Sequence, residues 1–240
     1  MNHRSESRST ILGGFFYCLT LLGTSACAPS SPALVQTLNV AGKQIFTSDD
    51  SFQSAALRLD PQWRYLRVQL NDGPSNIFVL GHVDANPHGA VEVWYSAKAE
   101  VLKLQEGRIV GTHGLAWDWT KVRLDPAPKP WETMGSESTV SKRFHDELPS
   151  YRFGVVDTVQ TQAWQALPSP RWAVPREVLQ LSDLRWYRES AQVAGAGTPT
   201  VSWFARGSHL GSPAIVYSEQ CLSATHCFRL QRLPMPEGHL

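Results

Sequence analysis

Trp63-Arg64-Tyr65-Leu66-Arg67-Val68-Gln69-Leu70, then Asn71-Asp72-Gly73-Pro74, then Asn76-Ile77-Phe78-Val79-Leu80-Gly81-His82-Val83 reads as an alternating run, a turn and a second run. Successive side chains of an extended chain point to opposite faces, so Leu66, Val68 and Leu70 share one side while Arg67 and Gln69 take the other. Asn, Asp, Gly and Pro between the runs supply turn chemistry. Residues 63–83 therefore predict a β-hairpin.

The same rhythm continues outward. Runs at 90–96, 99–104 and 108–112 are separated by short polar turns, the tightest being Gln105-Glu106-Gly107, and they predict successive antiparallel strands. Pro126, Pro128 and Pro130 interrupt residues 124–136, which read as a surface loop or a boundary between two halves. Beyond it, 151–160, 162–167, 178–190, 198–206, 214–219 and 227–233 predict further strands. The 178–190 run also fits helical spacing through Val178, Leu181 and Leu184. The fold class expected is all-β: an antiparallel, curved sheet or barrel-like architecture with few or no long helices, since closure hides strand edges. Residues 34–240 form a single β-rich domain in this reading, with a two-half organisation around 124–136 as the alternative.

Upstream of the domain the sequence changes character. Arg4 and Arg8 precede an apolar run from Ile11 to Leu22, and small residues lead into Cys27. That is signal-peptide anatomy, and the run is shorter than the ~20 apolar residues that span a bilayer. Residues 1–26 are expected to be a lipoprotein signal peptide. Cys27 then becomes the lipidated first residue, palmitate or a similar acyl group on its amine and a diacylglyceryl group on its thiol, an anchor of the firm multi-chain kind. Thr24 stands where lipoprotein signals usually carry Leu, so cleavage by ordinary signal peptidase and an uncleaved anchor stay open. Residues 27–33 would be the lipidated cysteine and a Pro- and Ser-rich tether. Ala28 after the cysteine, rather than Asp, points to the outer membrane, with the domain on the periplasmic side.

The chain has 22 basic and 21 acidic residues among 240, and the signal carries Arg4, Arg8 and Glu6. The remainder is balanced and has no basic run, which argues against nucleic acid as a partner and against charge-driven binding to lipid headgroups. Cys221 and Cys227 remain in the body. An oxidising compartment favours a disulfide across the five intervening residues; the alternative is a metal site from Cys221, His226 and Cys227, which lacks an evident fourth ligand.

Catalytic signatures are absent: the sequence has no nucleophile elbow, zinc-protease helix, phosphate-binding loop or dinucleotide fingerprint. No catalytic residue, metal or cofactor is expected, and the chain reads as a non-enzyme. Asp60, Asp84, Asp118, Asp157 and Glu189 are the carboxylates a fold would have to pair for glycan cleavage. His82, Asp84 and His88, and the His145-Asp146-Glu147 group, read as turn chemistry. Among nine tryptophans, Trp117, Trp119 and Trp131 are candidate glycan platforms, because an exposed indole offers a flat apolar face and an edge donor. Trp117 and Trp119 alternate onto one face, and the inside of a sheet is the favoured place for them; Trp131 sits in the proline-rich loop and is expected to be exposed.

Residues 65–70, Phe78-Val79-Leu80, Val93-Trp94-Tyr95-Ser96 and above all Leu104-Gln105-Glu106-Gly107-Arg108-Ile109-Val110-Gly111-Thr112-His113-Gly114-Leu115 resemble the YjbF/GfcB family of lipoproteins. Tyr217-Ser218-Glu219-Gln220 resembles that family's closing hairpin. Gly107, Arg108, Gly111 and Gly114 form a turn motif, with Gly107 in a left-handed position and Gly111 and Gly114 relieving crowding at a bend. The resemblance implies a barrel-like fold and an outer-membrane lipoprotein associated with capsule or exopolysaccharide production. It leads to a noncatalytic assistant of polysaccharide secretion or assembly, working by glycan binding or by docking to export proteins. A glycan-modifying or glycan-cleaving enzyme and a structural factor that binds only protein are the alternatives.

Overall fold

The computed structural model describes residues 59–166, 168–193 and 198–234; residues 1–58, hence Cys27 and the tether, lie outside them. The described chain is twelve strands with almost no helix. They are β1 (Tyr65–Leu70), β2 (Ser75–Asp84), β3 (Val91–Ser96), β4 (Val101–Gln105), β5 (Arg108–His113), β6 (Asp118–Asp125), β7 (Thr139–Leu148), β8 (Arg152–Trp164), β9 (Arg185–Val193), β10 (Thr200–His209), β11 (Ser212–Ser223) and β12 (His226–Leu233).

All twelve belong to one antiparallel sheet in the order β5-β4-β3-β2-β1-β12-β11-β10-β9-β8-β7-β6. Neighbours in space are neighbours in sequence except at one place: β1 pairs with β12, Tyr65 opposite Leu233 and Leu70 opposite Phe228. Closing the order in this way leaves β5 and β6 as the two edges, and the sheet curls until they lie side by side as the seam of a nearly closed barrel.

The interior is stratified. One end is apolar, with Leu66, Phe78, Trp94, Leu102, Trp119 and Phe228 in a single cluster. The other is plugged by Trp131, Met134, Tyr187, Phe204 and Ile215. Between them lies a charged layer, because Arg143 stacks over Trp119 of the first cluster at 4.5 Å and Arg108 over Trp131 of the second at 3.7 Å.

An outer layer covers strands β9 to β12. After Pro175 a single helical turn, α1 (Arg176–Leu179), begins a segment whose Val178 packs with Ala205, Val216 and Tyr217, with Leu181, Leu184 and Trp186 alongside. Glu219 holds this layer down by accepting hydrogen bonds from the backbone N–H groups of Arg171 (2.6 Å) and Trp172 (3.2 Å). Burial pushes the Glu219 carboxyl up, although those two donors and the Tyr217 hydroxyl oppose the shift.

The structure corrects several readings of the sequence. The 124–136 segment is not a surface loop throughout, because it carries Trp131 and Met134 into the barrel end, where both are buried. Residues 162–164 do not start a new strand but continue β8. Residues 178–190 divide into helical turn, link and strand. His145, Asp146 and Glu147 are not in a turn; they lie on β7 and are buried.

Candidate functional site

The β4–β5 turn organises the seam. Glu106 and Gly107 both have positive φ, 50° and 77°, the pairing that a two-residue hairpin of native twist requires. A Cβ on Gly107 would stand 2.5 Å from the Ile215 Cβ, so glycine is needed for space as well as for conformation. Across the barrel Gln220 clamps the turn: its Nε2 donates to the Gly107 carbonyl (2.8 Å) and its Oε1 accepts from the Ile109 N–H (2.9 Å). The same Nε2 donates to Ser218 Oγ. The two segments that carry the family resemblance thus touch each other, which gives the Gly-Arg turn and the Ser-x-Gln pattern a common physical cause.

Asp118 laces one end of the seam. Its carboxylate accepts from Thr112 Oγ1 (2.8 Å), the Gly114 N–H (3.0 Å) and the Leu115 N–H (3.3 Å), while Thr112 Oγ1 accepts from the Trp119 N–H (3.0 Å). Gly114, at φ 82°, makes the bend. Gly111 does not relieve crowding as expected: an added Cβ would make only ordinary contact with Lys103, at 3.5 Å.

Towards the other end the seam parts. Lys121 at φ 53° interrupts the β6–β7 register. A cleft of about 460 Å³ opens there, between Val110 of β5 and Val122 and Leu124 of β6. This falls within the roughly 300–1,000 Å³ of ordinary ligand pockets. Its far wall is the proline-rich segment, with Pro128, Lys129, Pro130 and Trp131, and its rim includes Asn86, Gln105 and Glu106. Trp131 Nε1 donates to the Glu106 carbonyl at 2.9 Å, fixing the wall to the turn.

Arg108 connects the cleft to the charged layer. Its Nε donates to Glu189 Oε2 at 2.9 Å, and Glu189 also accepts from Thr161. Arg143 donates twice to Asp157, at 2.8 and 2.6 Å, and lies 4.0 Å from Glu189. His145 Nε2 is 3.2 Å from Glu147, which Arg152 also reaches. Of the five carboxylates singled out in the sequence, the fold gathers Asp157 and Glu189 into this layer. Asp118 serves the seam, and Asp60 accepts from the Gln62 N–H at the start of the described chain. His82 and Asp84 form a half-exposed pair 3.4 Å apart. No group of three or more metal-ligating side chains occurs among the described residues.

The tryptophans fall differently from expectation. Trp131 is 2% exposed rather than displayed on a loop, because its indole fills the barrel end between Tyr187 and Phe204. Trp119 is 1% exposed and sits 4.2 Å from the His145 ring, and half-buried Trp117 packs edge-on to Trp119 and against His226. Trp131 borders the cleft, and Trp119 lines a second, more open cavity of about 630 Å³ on the other side of Lys121. Cys221 and Cys227 are opposite each other at the end of β11 and β12 and are joined by a disulfide.

The charged layer has a pH signature. Burial pulls the His145 imidazole below its ordinary 6.5, more strongly than Asp157 and Glu147 raise it, and burial lowers His209 too. The unfolded chain then binds protons more readily than the fold, so stability is lost as pH falls below about 6.5. Thermal unfolding at pH 7.5, 6.5 and 5.5 should show a falling midpoint, and the fall should be shallower in His145→Gln. Glu219, whose folded carboxyl titrates above the ordinary 4.5, acts in the opposite direction at the acid end of the range.

Residues 44–168 match the family described as YjbF, group 4 capsule polysaccharide lipoprotein gfcB. Among solved structures, the chain is similar to the hypothetical lipoprotein YmcC from Escherichia coli K12, with a TM-score of 0.54 at 14% identity over 83% of this chain and 94% of that one. At that identity the likeness is one of fold. Comparison with curated proteins gave no match.

Proposed function

Because the chain belongs to the YjbF family of group 4 capsule polysaccharide lipoproteins, we propose that it is a noncatalytic envelope lipoprotein that assists polysaccharide secretion or assembly by holding a stretch of glycan in the seam cleft. The observation that carries this reading is the cleft itself. Apolar walls from Val110, Leu124, Pro128 and Trp131 suit the C–H faces of sugar rings, and Asn86, Gln105 and Lys129 at the rim suit hydroxyls and polar substituents. Of the two carboxylates that line the cleft, Glu106 and Glu132, the second is paired with Arg206, and Asp157 and Glu189 in the charged layer are engaged by arginines. Anchoring through Cys27 at the outer membrane, facing the periplasm, completes the reading.

Docking to an export protein is the second reading, favoured by Tyr151 and Phe153, which are 71% and 66% exposed at the β7–β8 turn. Solvent-facing aromatics of this kind mark interaction surfaces when they cluster.

Deleting the gene and measuring surface polysaccharide tests both. Polysaccharide should fall, return with the wild-type gene, and fail to return with Ala127→Trp, which fills the cleft from an exposed position. Full rescue by Ala127→Trp together with failure of the Tyr151→Ser/Phe153→Ser pair would replace the glycan reading with docking. Mass spectrometry of the mature protein should show an acylated Cys27.

A further inference from the structure

The seam cleft is not an isolated pocket. On the other side of Lys121 lies the second cavity, of about 630 Å³, and Asn86, Gln105, Val110 and Val122 line both. The two are therefore contiguous: one groove starts at the proline-rich wall, passes the parted seam and continues over the outer face of the sheet to His82 and Asp84 at the end of β2. Val101 and Lys103 of β4 alternate with the interior Leu102 and Leu104, which puts them, with Tyr95 and Val93 opposite them on β3, on that outer face.

Two residues shape the floor of the second part. Gly111 stands opposite Lys103 in the β4–β5 ladder and lines the cavity. Its lack of a side chain relieves no crowding, yet it keeps the way from the seam to β4 clear. Tyr95 is half-buried, and its ring leans over β2 into space left by Gly81, where a Cβ would stand 2.4 Å from ring atom Cε2. Unlike Trp131, this ring presents accessible surface to a cavity, and an aromatic ring so placed is a platform for the C–H face of a sugar. From β2 to β5 the floor is about 14 Å wide at the ordinary spacing of neighbouring strands, more than one sugar ring covers.

Resting on the glycan reading, we propose that the groove holds an internal stretch of a linear polysaccharide, several sugars long, with one part of the stretch in the seam cleft and the next on Tyr95. A pocket closed on one side takes a chain end or a single repeating unit, whereas a passage that continues from one cavity into the next takes a chain running through. Because one covalent chain fills both parts, its second contact is made at high effective concentration.

Polysaccharide purified from the same strain, cut into size fractions and titrated calorimetrically into the protein, tests this. Fragments long enough for both parts should bind about tenfold or more tightly than monosaccharide and disaccharide fragments. Ala127→Trp should weaken fragments of every length. Gly111→Phe, which fills the second part from a position where a Cβ meets no clash, and Tyr95→Ser should each bring long fragments down to the affinity of short ones and leave the short ones unchanged; urea unfolding of each variant checks that the fold is intact. Long fragments blocked by Ala127→Trp but indifferent to both Gly111→Phe and Tyr95→Ser would overturn the running-chain inference and leave the glycan reading standing, as would equal affinity at all lengths. Binding blocked by Gly111→Phe and not by Ala127→Trp would move the glycan out of the seam cleft and overturn both. Binding at no length would likewise overturn the inference together with the glycan reading.

Discussion

Gly107→Ala is expected to destabilise the domain by about 2–5 kcal/mol, the sum of a left-handed conformation imposed on an L-residue and of overpacking against a neighbour. The neighbour is the Ile215 Cβ, 2.5 Å from where the new methyl would lie. A Cβ on a strand cannot swing aside as the end of a lysine can. Urea unfolding measures the loss, and Ile215→Gly in the same chain, which removes the Cβ itself, should restore part of it, so that the double variant is more stable than the two single costs predict. Gly111→Ala is the internal comparison: with Lys103 at 3.5 Å, its effect should stay within about 0.5 kcal/mol, as for other substitutions without a clash. Equal losses at Gly107 and Gly111 would refute the steric account of the turn.

The second large effect is expected at Glu189. Glu189→Ala removes the partner of Arg108 Nε, the acceptor for Thr161 and one of the two carboxylates near Arg143. Arg108 would be left buried without its counterion. Breaking a buried pair from one side costs about 3–5 kcal/mol, whereas replacing both partners with apolar groups of similar volume is often close to neutral. Arg108→Met/Glu189→Leu should therefore be markedly more stable than Glu189→Ala alone. A double variant as unstable as the single one would show that the layer contributes through more than its charges.

Much of the fold is legible in the residues, and the exceptions share a cause. β1 and β4 alternate apolar and polar residues along the chain, with Leu102 and Leu104 of β4 buried and Lys103 exposed, and polar turns bound the strands from β1 to β5, so these strands stand out. β7 alternates in reverse: Arg143, His145 and Glu147 face the charged layer, while Val140 is 53% exposed. A pattern rule that equates inward with apolar passes over such a strand. β10 and β11 are buried on both faces because the outer layer covers them, which blurs their alternation without hiding them. The pairing of β1 with β12 has no local signature at all.

The site was half legible for the same reason. The Gly107 turn is visible as a turn, since glycine after a polar pair has few other uses. That Arg108 points inward is not, because its partners Glu189 and Trp131 come from distant segments. Trp131 is conspicuous in the sequence but is expected there on the wrong side of the surface; the three prolines that precede it, Pro126, Pro128 and Pro130, restrict the path of the segment and not its depth. The Ser218-x-Gln220 pair was the best available signal, being two polar residues spaced to face the same interior.

Sheet order also governs when the domain can be finished. During synthesis the hairpins form between strands that emerge one after another, at small loop-closure cost, whereas β1 waits for the final strand before its second edge is covered. The ladder from Tyr65 opposite Leu233 to Leu70 opposite Phe228 is the one that needs both the first and the twelfth strand. A copy truncated before His226 would keep an open β1 edge, available to pair with another copy.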